Sequence, residues 1–255
     1  MVILPSDHYI QNVRSFEYTL QEAVELAAKN LFVVIGIEPS YPATGFGYIE
    51  LGTPMYLKES RQKDTSHTDE DDYAPAYLVR SFREKPNLAA AEQFLRTGRY
   101  LWNAGMFVWK TKVFWEAFKK VQPRMCEKIE SINEQNFESV YKELENISID
   151  IGFIERTSHI ACVPARFDWN DVGSWAAVRE CLATDEDGNT LKGNVFTLDT
   201  VNSVVHTTGP FVSVVGLENV AVVVTADAVL VTDLSKSQDV KKIIAHLENK
   251  QDELL

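Results

Sequence analysis

The sequence contains no long apolar run. Its most apolar stretch, Phe211 to Leu234, is broken by Glu218, Asn219 and Asp227. It therefore reads as short β segments and not as the roughly 20 uninterrupted apolar residues that a membrane span needs. No signal peptide is visible, since Met1 runs straight into Val2-Ile3-Leu4 without a basic leading segment. Cysteine is scarce: Cys126, Cys162 and Cys181 are odd in number and widely spaced. That excludes a disulfide framework and a zinc ribbon, and a reducing cytoplasm fits best. The five histidines stand singly and form no ligand cluster. Positive charge is in deficit, with a net charge of −12, which argues against a nucleic-acid groove and requires anionic ligands to be met by local cations or a metal. None of the twelve glycines sits in a Gly-rich loop of the kind that wraps phosphates.

What is present is an ordinary globular composition of 255 residues, 45% apolar and 24% charged, enough for one large domain or one and a half. Val2-Ile3-Leu4 reads as the end of a buried strand that ought to begin earlier. Phe16, Leu20, Val24 and Ala27 keep helical spacing, and residues 31–37 then form a continuous apolar run suited to a fully buried strand. This β-loop-α-β order predicts a parallel α/β sheet, with Asp7 just past the carboxyl end of a strand, where ligands bind in such sheets.

Residues 53–75 read as a polar surface loop with an acidic run at 69–72. A strand over Tyr77–Phe82 leads to Glu84-Lys85-Pro86, and a helix capped by Asn87 ends at Gly98. A further strand near Met106–Trp109 precedes a helix capped by Thr111. Residues 124–146 look helical in two pieces, with Ile129/Ile132 and Phe137/Val140/Tyr141/Leu144 as apolar stripes, and another helical piece covers Trp175–Leu182. Asp185-Glu186-Asp187-Gly188-Asn189 imitates a calcium loop, but Thr190 stands at the sixth position and no Glu at the twelfth, so it reads as a turn. Beyond it, Val-rich runs at 193–198, 203–207, 211–215, 220–225 and 228–232 predict a small all-β part. A last helix is expected from Ser235-x-x-Gln238, burying Val240, Ile243, Ile244 and Leu247. The expected division is 1–184 for the α/β domain and 185–255 for the β-rich one.

Several short motifs carry chemistry. Asp171 lies in Trp169-Asn170-Asp171-Val172-Gly173-Ser174-Trp175, a tight turn just before a helix, where a carboxylate can ligate a metal or cap the helix. Asp7 in Pro5-Ser6-Asp7-His8 has the same two readings. Glu84-Lys85-Pro86 joins a hydroxyl acceptor to a cation on a stiff turn, although a bare Glu-Lys-Pro also suits a solvated strand end. Thr44-Gly45-Phe46-Gly47-Tyr48-Ile49 lets backbone approach a ligand or simply turns into a strand. In Trp102-Asn103-Ala104-Gly105-Met106-Phe107, Asn103 can both donate to and accept from a sugar hydroxyl, while Trp102 and Trp109 belong to the core.

These motifs, in this order, resemble the mannose-1-phosphate guanylyltransferases from about Val2 to the final helix. The resemblance implies a nucleotide-diphospho-sugar transferase domain, Rossmann-like and of GT-A type, incomplete at its amino end and followed by a small β-helix-like domain. It implies that Asp7 and Asp171 hold Mg²⁺, that Gly47, Glu84 and Asn103 contact mannose, and that Lys85 grips the sugar phosphate. Asp7, Asp171 and Lys85 would be the catalytic set, with mannose-1-phosphate and GTP as substrates and with neither nucleic acid nor membrane as partner. The family normally opens with a Gly-rich segment containing Arg and Lys, and this sequence lacks it, as it lacks the isomerase domain that some relatives carry. A truncated or split enzyme, inactive or weak alone, is the first expectation, and a homodimer or a complementing amino-terminal chain would be its partner. The alternatives are a non-catalytic sugar-phosphate-binding or regulatory subunit, or transfer to another hexose-1-phosphate.

Overall fold

A computed structural model describes residues 1–56 and 75–250. Most of the polar loop expected over 53–75, its acidic run included, lies outside the described residues, while Thr53–Met55 belong to a strand. The chain forms two compact units: Met1–Ser6 with Ile10–Asp168, and Asp7–Tyr9 with Trp169–Leu255.

The first unit is built on six strands, β1 (Val2–Ile3), β3 (Phe32–Ile37), β4 (Tyr48–Met55), β5 (Ala76–Arg83), β6 (Tyr100–Val108) and β7 (Ile160–Pro164), with β2 (Tyr9–Ile10) set apart. Their order is β1-β6-β3-β7-β5-β4, with β6 also pairing with β4. The expected parallel sheet is corrected to a mixed one. β3 and β7 are parallel, but β6 runs antiparallel to β1, β3 and β4, and β5 antiparallel to β7 and β4. The crossover from β1 to β3 does leave them pointing the same way, and β6, arriving later in the chain, inserts between them. As β1 is an edge strand, Val2 and Leu4 are exposed instead of buried.

β3 is buried at every residue because both of its faces are covered. Helix α1 (Val13–Ala28) presents Thr19, Ala23, Leu26 and Ala27 to one face, near Val33, Val108 and Val163, and Val24 points outward, contrary to the expected stripe. The opposite face is aromatic: Phe32, Phe82, Phe107, Trp109 and Phe153 form its core, and Trp109 stacks on Phe114 at 5.0 Å. Trp102 is buried too. Helix α2 (Leu88–Thr97) starts and stops as its sequence predicts, with Asn87 accepting from the Ala90 N–H and Gly98 left-handed at φ 61°. Helix α3 (Thr111–Val121) is corrected at its start: Lys110 is the N-cap, with no capping side chain. Helices α4 (Pro123–Glu130) and α5 (Phe137–Lys142) are the two expected pieces, though Phe137 and Tyr141 are exposed. The short α6 (Ile149–Gly152) and a 3-10 turn over Ile154–Arg156 follow.

The second unit contains β8 (Trp169–Asn170), α7 (Trp175–Cys181), β9 (Thr190–Lys192), β10 (Val195–Leu198), β11 (Val204–Thr207), β12 (Val212–Val215), β13 (Val220–Val224), β14 (Val229–Asp233) and α8 (Val240–Lys250). β8 pairs with β2. Strands β9, β11 and β13 pair in parallel, as do β10 and β12, so each strand lies beside the one two places on, and the backbone winds as a coil. β14 turns back, antiparallel to β13. Val205, Val214, Val222 and Val224 fill the inside. Helix α7 lays Trp175 and Ala176 on Val204, Ala221 and Leu234. The Asp185 segment is a turn, Asp185 Oδ1 accepting from the N–H of Asp187 and of Asn189. The expected final helix is corrected. Asp233 caps a 3-10 turn over Leu234–Asp239, α8 begins only at Val240, and Ile243 and Ile244 are exposed.

Candidate functional site

Strand register brings three of the sequence-derived candidates together in the first unit. Tyr48 of β4 lies opposite Arg83 of β5 and opposite Trp102 of β6. Because both pairings are antiparallel, the residue before Tyr48 faces the residues after Arg83 and Trp102, and Gly47 is flanked by Glu84 and Asn103. The Asn103 N–H donates to the Gly47 carbonyl at 2.8 Å. A Cβ on residue 47 would lie 2.6 Å from Glu84 Oε2 and 2.8 Å from Phe82 Cζ, so any other residue there must displace the ends of these two side chains. Lys85 adopts φ 44° and holds Nζ 3.7 Å from Glu84 Oε1.

Two residues that carry no motif complete the cluster. Asp150, in the first turn of α6, accepts from Asn103 Nδ2 at 2.9 Å, while Asn103 Oδ1 accepts from the Gly105 N–H at 3.2 Å. The Asn103 amide is thereby held in one orientation, with one N–H and one lone pair to spare. Glu155, on the 3-10 turn, accepts from the Glu84 N–H at 3.0 Å. The only local signal for Asp150 is Ser148, which caps α6, and an acid in a first turn ordinarily reads as a helix-dipole residue. Glu84 Oε2 is buried with no hydrogen-bond partner among the described residues, an acceptor left over for a ligand's hydroxyl.

Burial, then the neighbouring Asp150 charge, raises the Glu84 carboxyl above its ordinary range, and Lys85 opposes this. Burial likewise raises Asp150. A raised carboxylate keeps protons in the fold that the unfolded chain has already released, so its contribution to stability falls as pH climbs from the ordinary carboxylate value to the raised one. Asp150→Asn keeps an acceptor for Asn103 and removes the buried charge. It is expected to flatten that fall and to raise the thermal midpoint at neutral pH by about 2 °C. Melting curves across the acid range check this; a steeper decline in the variant contradicts it.

The second unit gathers Asp7 and Asp171. Asp171 follows β8 in a turn closed by Asn170, whose Oδ1 accepts from the Val172 N–H at 2.8 Å. Val172 sits at φ 49°, a left-handed conformation rare for a β-branched residue. A Cβ on Gly173 would lie 2.6 Å from Asp171 Oδ2, so the missing side chain is what gives that carboxylate its room. Ser174, accepting from the Ala177 N–H, caps α7, which removes the capping role from Asp171. Both Asp7 and Asp171 lie close enough to His8 for their charges to favour its protonated form, though burial outweighs them and lowers its pKa. Among the described residues no group of three or more His, Cys, Asp or Glu is arranged to hold a metal. Two hard oxygen donors with a cradle kept open by Gly173 nevertheless suit Mg²⁺, which commonly takes one or two carboxylates together with substrate phosphates.

The family model for Nucleotidyl transferase matches residues 1–188 of the 255. The chain belongs to the nucleotidyl transferase family. Within this member, residues 193–247 match a second model, the MannoseP isomerase/GMP-like beta-helix domain, in agreement with the wound strands of the second unit. The nucleotidyl transferase chain is 35% identical to Alginate biosynthesis protein AlgA of Pseudomonas aeruginosa over 97% of its own length and 50% of that protein's. It is 34% identical to a Mannose-1-phosphate guanylyltransferase of Klebsiella pneumoniae, covering 98% of this chain and 52% of that one. The chain thus spans about half the length of these curated relatives. A crystal structure from Thermus thermophilus, described as a mannose-1-phosphate geranyltransferase, superposes with a TM-score of 0.79 at 29% identity, covering 97% of this chain and 69% of that one. No helix among the described residues is long and apolar enough to cross a membrane.

Proposed function

We propose that this nucleotidyl transferase takes part in guanylyl transfer to mannose-1-phosphate, in which GTP and mannose-1-phosphate give GDP-mannose and pyrophosphate. The observation that carries this reading is the meeting of Gly47, just before β4, Glu84 and Lys85, just after β5, and Asn103, within β6. The Gly47 backbone, buried but bare of a side chain, and the fixed Asn103 amide can face a hexose. Glu84 accepts from its hydroxyls, and Lys85, mostly exposed, reaches the phosphate. The reaction joins a phosphate oxygen of the sugar phosphate to the α-phosphorus of GTP while the bond to pyrophosphate breaks, so the protein mainly aligns the two anions and offsets their repulsion. Asp7 and Asp171 would hold Mg²⁺, which when bound neutralises charge on the phosphates. We assign no residue of this chain to the GTP triphosphate, as its glycines form no phosphate-wrapping loop. The same four residues also suit a second reading, a sugar-phosphate-binding subunit that works with another chain.

Calorimetry tests the common part. Mannose-1-phosphate is expected to bind more tightly than mannose, and Lys85→Ala to weaken it by roughly 1.5–3 kcal/mol, the value of a charge-assisted contact. Equal binding of mannose and its 1-phosphate would show that Lys85 is a solvated strand end and would remove the basis of both readings.

A further inference from the structure

His8 and Trp169 belong to the two segments that deliver Asp7 and Asp171, and neither has a role in the reaction so far described. They are 161 positions apart in the chain, yet Trp169 Nε1 donates to His8 Nδ1 at 3.1 Å. Their rings meet edge to face, with centroids 5.2 Å apart and planes at 88°. An indole N–H can only donate, so His8 Nδ1 must be the accepting nitrogen and the ring proton must sit on Nε2. One tautomer and one ring orientation are compatible with the contact.

The neighbouring residues need such an anchor. Asp7 directly precedes His8, and Asp171 comes two residues after Trp169. Two carboxylates near one imidazole repel each other, and β2 and β8 are only two residues long, too short to hold a register on their own. The Asp171 turn contains Val172 at φ 49°, a conformation that persists only when the surroundings over-determine it.

We propose that the His8–Trp169 hydrogen bond is a positioning device, which sets the spacing of the Asp7 and Asp171 carboxylates for a divalent cation before any phosphate arrives. The proposal rests on the reading of those carboxylates as metal ligands. It assigns to both side chains a function as support for the ligands and not as ligands themselves.

The test uses the 255-residue chain and Mn²⁺ alone, with free Mn²⁺ followed by electron paramagnetic resonance. Asp171→Asn is expected to weaken Mn²⁺ binding by more than about 10-fold, which checks the carboxylate reading. Trp169→Phe keeps an aromatic ring but removes the donor, and is expected to weaken binding by about 10-fold, the lower end for loss of a ligand-orienting partner. His8→Ala should do the same, whereas His8→Asn, whose side-chain carbonyl can take the place of Nδ1 as acceptor, should recover most of the affinity. A merely structural role would not separate His8→Asn from His8→Ala in Mn²⁺ affinity at equal thermal midpoints. If Trp169→Phe binds Mn²⁺ as the parent does while Asp171→Asn does not, the positioning role is overturned and the carboxylate reading stands. If Asp171→Asn also binds normally, both fall. Nitrogen NMR of the parent protein gives an arm that depends on no variant: His8 must show an unprotonated Nδ1 and a protonated Nε2, and the opposite tautomer overturns the proposal.

Discussion

Asp171→Asn is expected to lower guanylyl transfer by at least about 100-fold, the upper end of what even an outer-shell partner of a metal costs. The fold should survive. The measurement is steady-state turnover in this chain joined behind the Gly-rich phosphate-binding segment of a relative, with and without the substitution. The change removes a charge and almost no volume, and the cap of α7 is Ser174, so the helix keeps its N-terminus. The new carboxamide also leaves the Gly173 approach and the Asn170 turn as they are. Turnover within a few-fold of the parent would sink the assignment of Asp171 to the metal. A fall in turnover accompanied by an equal fall in thermal midpoint would mean that the residue serves the turn and not the reaction.

Gly193→Ala carries the largest expected cost to stability. Gly193 lies at φ 95°, and a Cβ there would come within 2.1 Å of the backbone carbonyl oxygen of Thr207. No rotamer relieves a clash between a Cβ and main chain, so the coil must shift where β9 passes into β10. The left-handed conformation alone costs about 1–3 kcal/mol in a residue with a side chain, and the overlap brings the total to about 4 kcal/mol or more, in the range reserved for severe lesions. Gly209→Ala is the matched control, since nothing lies within 4 Å of its added Cβ. Circular dichroism and limited proteolysis of the second unit read the outcome. A Gly193→Ala protein that melts with Gly209→Ala would show that the coil is far more yielding than its close approach implies.

Elements defined by a local rule could be read directly from residues. Asn87 and Gly98 bound α2 because one side chain caps an N-terminus and the other residue tolerates positive φ. The Val-rich runs became strands because β-branched residues between Gly and Asn leave few other choices. Strand direction was not legible: the apolar run of β3 is the same whether its neighbours are parallel or antiparallel, and the insertion of β6 is decided by chain segments far away. Asp150 and Glu155 escaped for a related reason, since each is a common acid on a short helical turn that gains significance only when the fold brings it to Asn103 and to the Glu84 backbone. The start of the last helix was misread because a 3-10 turn and an α-helix share a three-residue spacing of capping groups.

The winding of the second unit has a bearing on how it folds. Thr190 pairs with Val204, Val204 with Ala221, and Val195 with Val212, so each parallel ladder closes a loop of more than a dozen residues before its first hydrogen bond is repaid by packing. The β13–β14 pair is different. Val224 meets Val229 across a short turn, which makes this hairpin the fastest piece to form and the natural template on which β11 and then β9 assemble. Synthesis proceeds from the amino end, so the template leaves the ribosome after every strand that depends on it. Val204, Val205 and their neighbours are thus kept waiting as unpaired apolar segments, and chaperone demand during translation should be concentrated on this stretch of the chain.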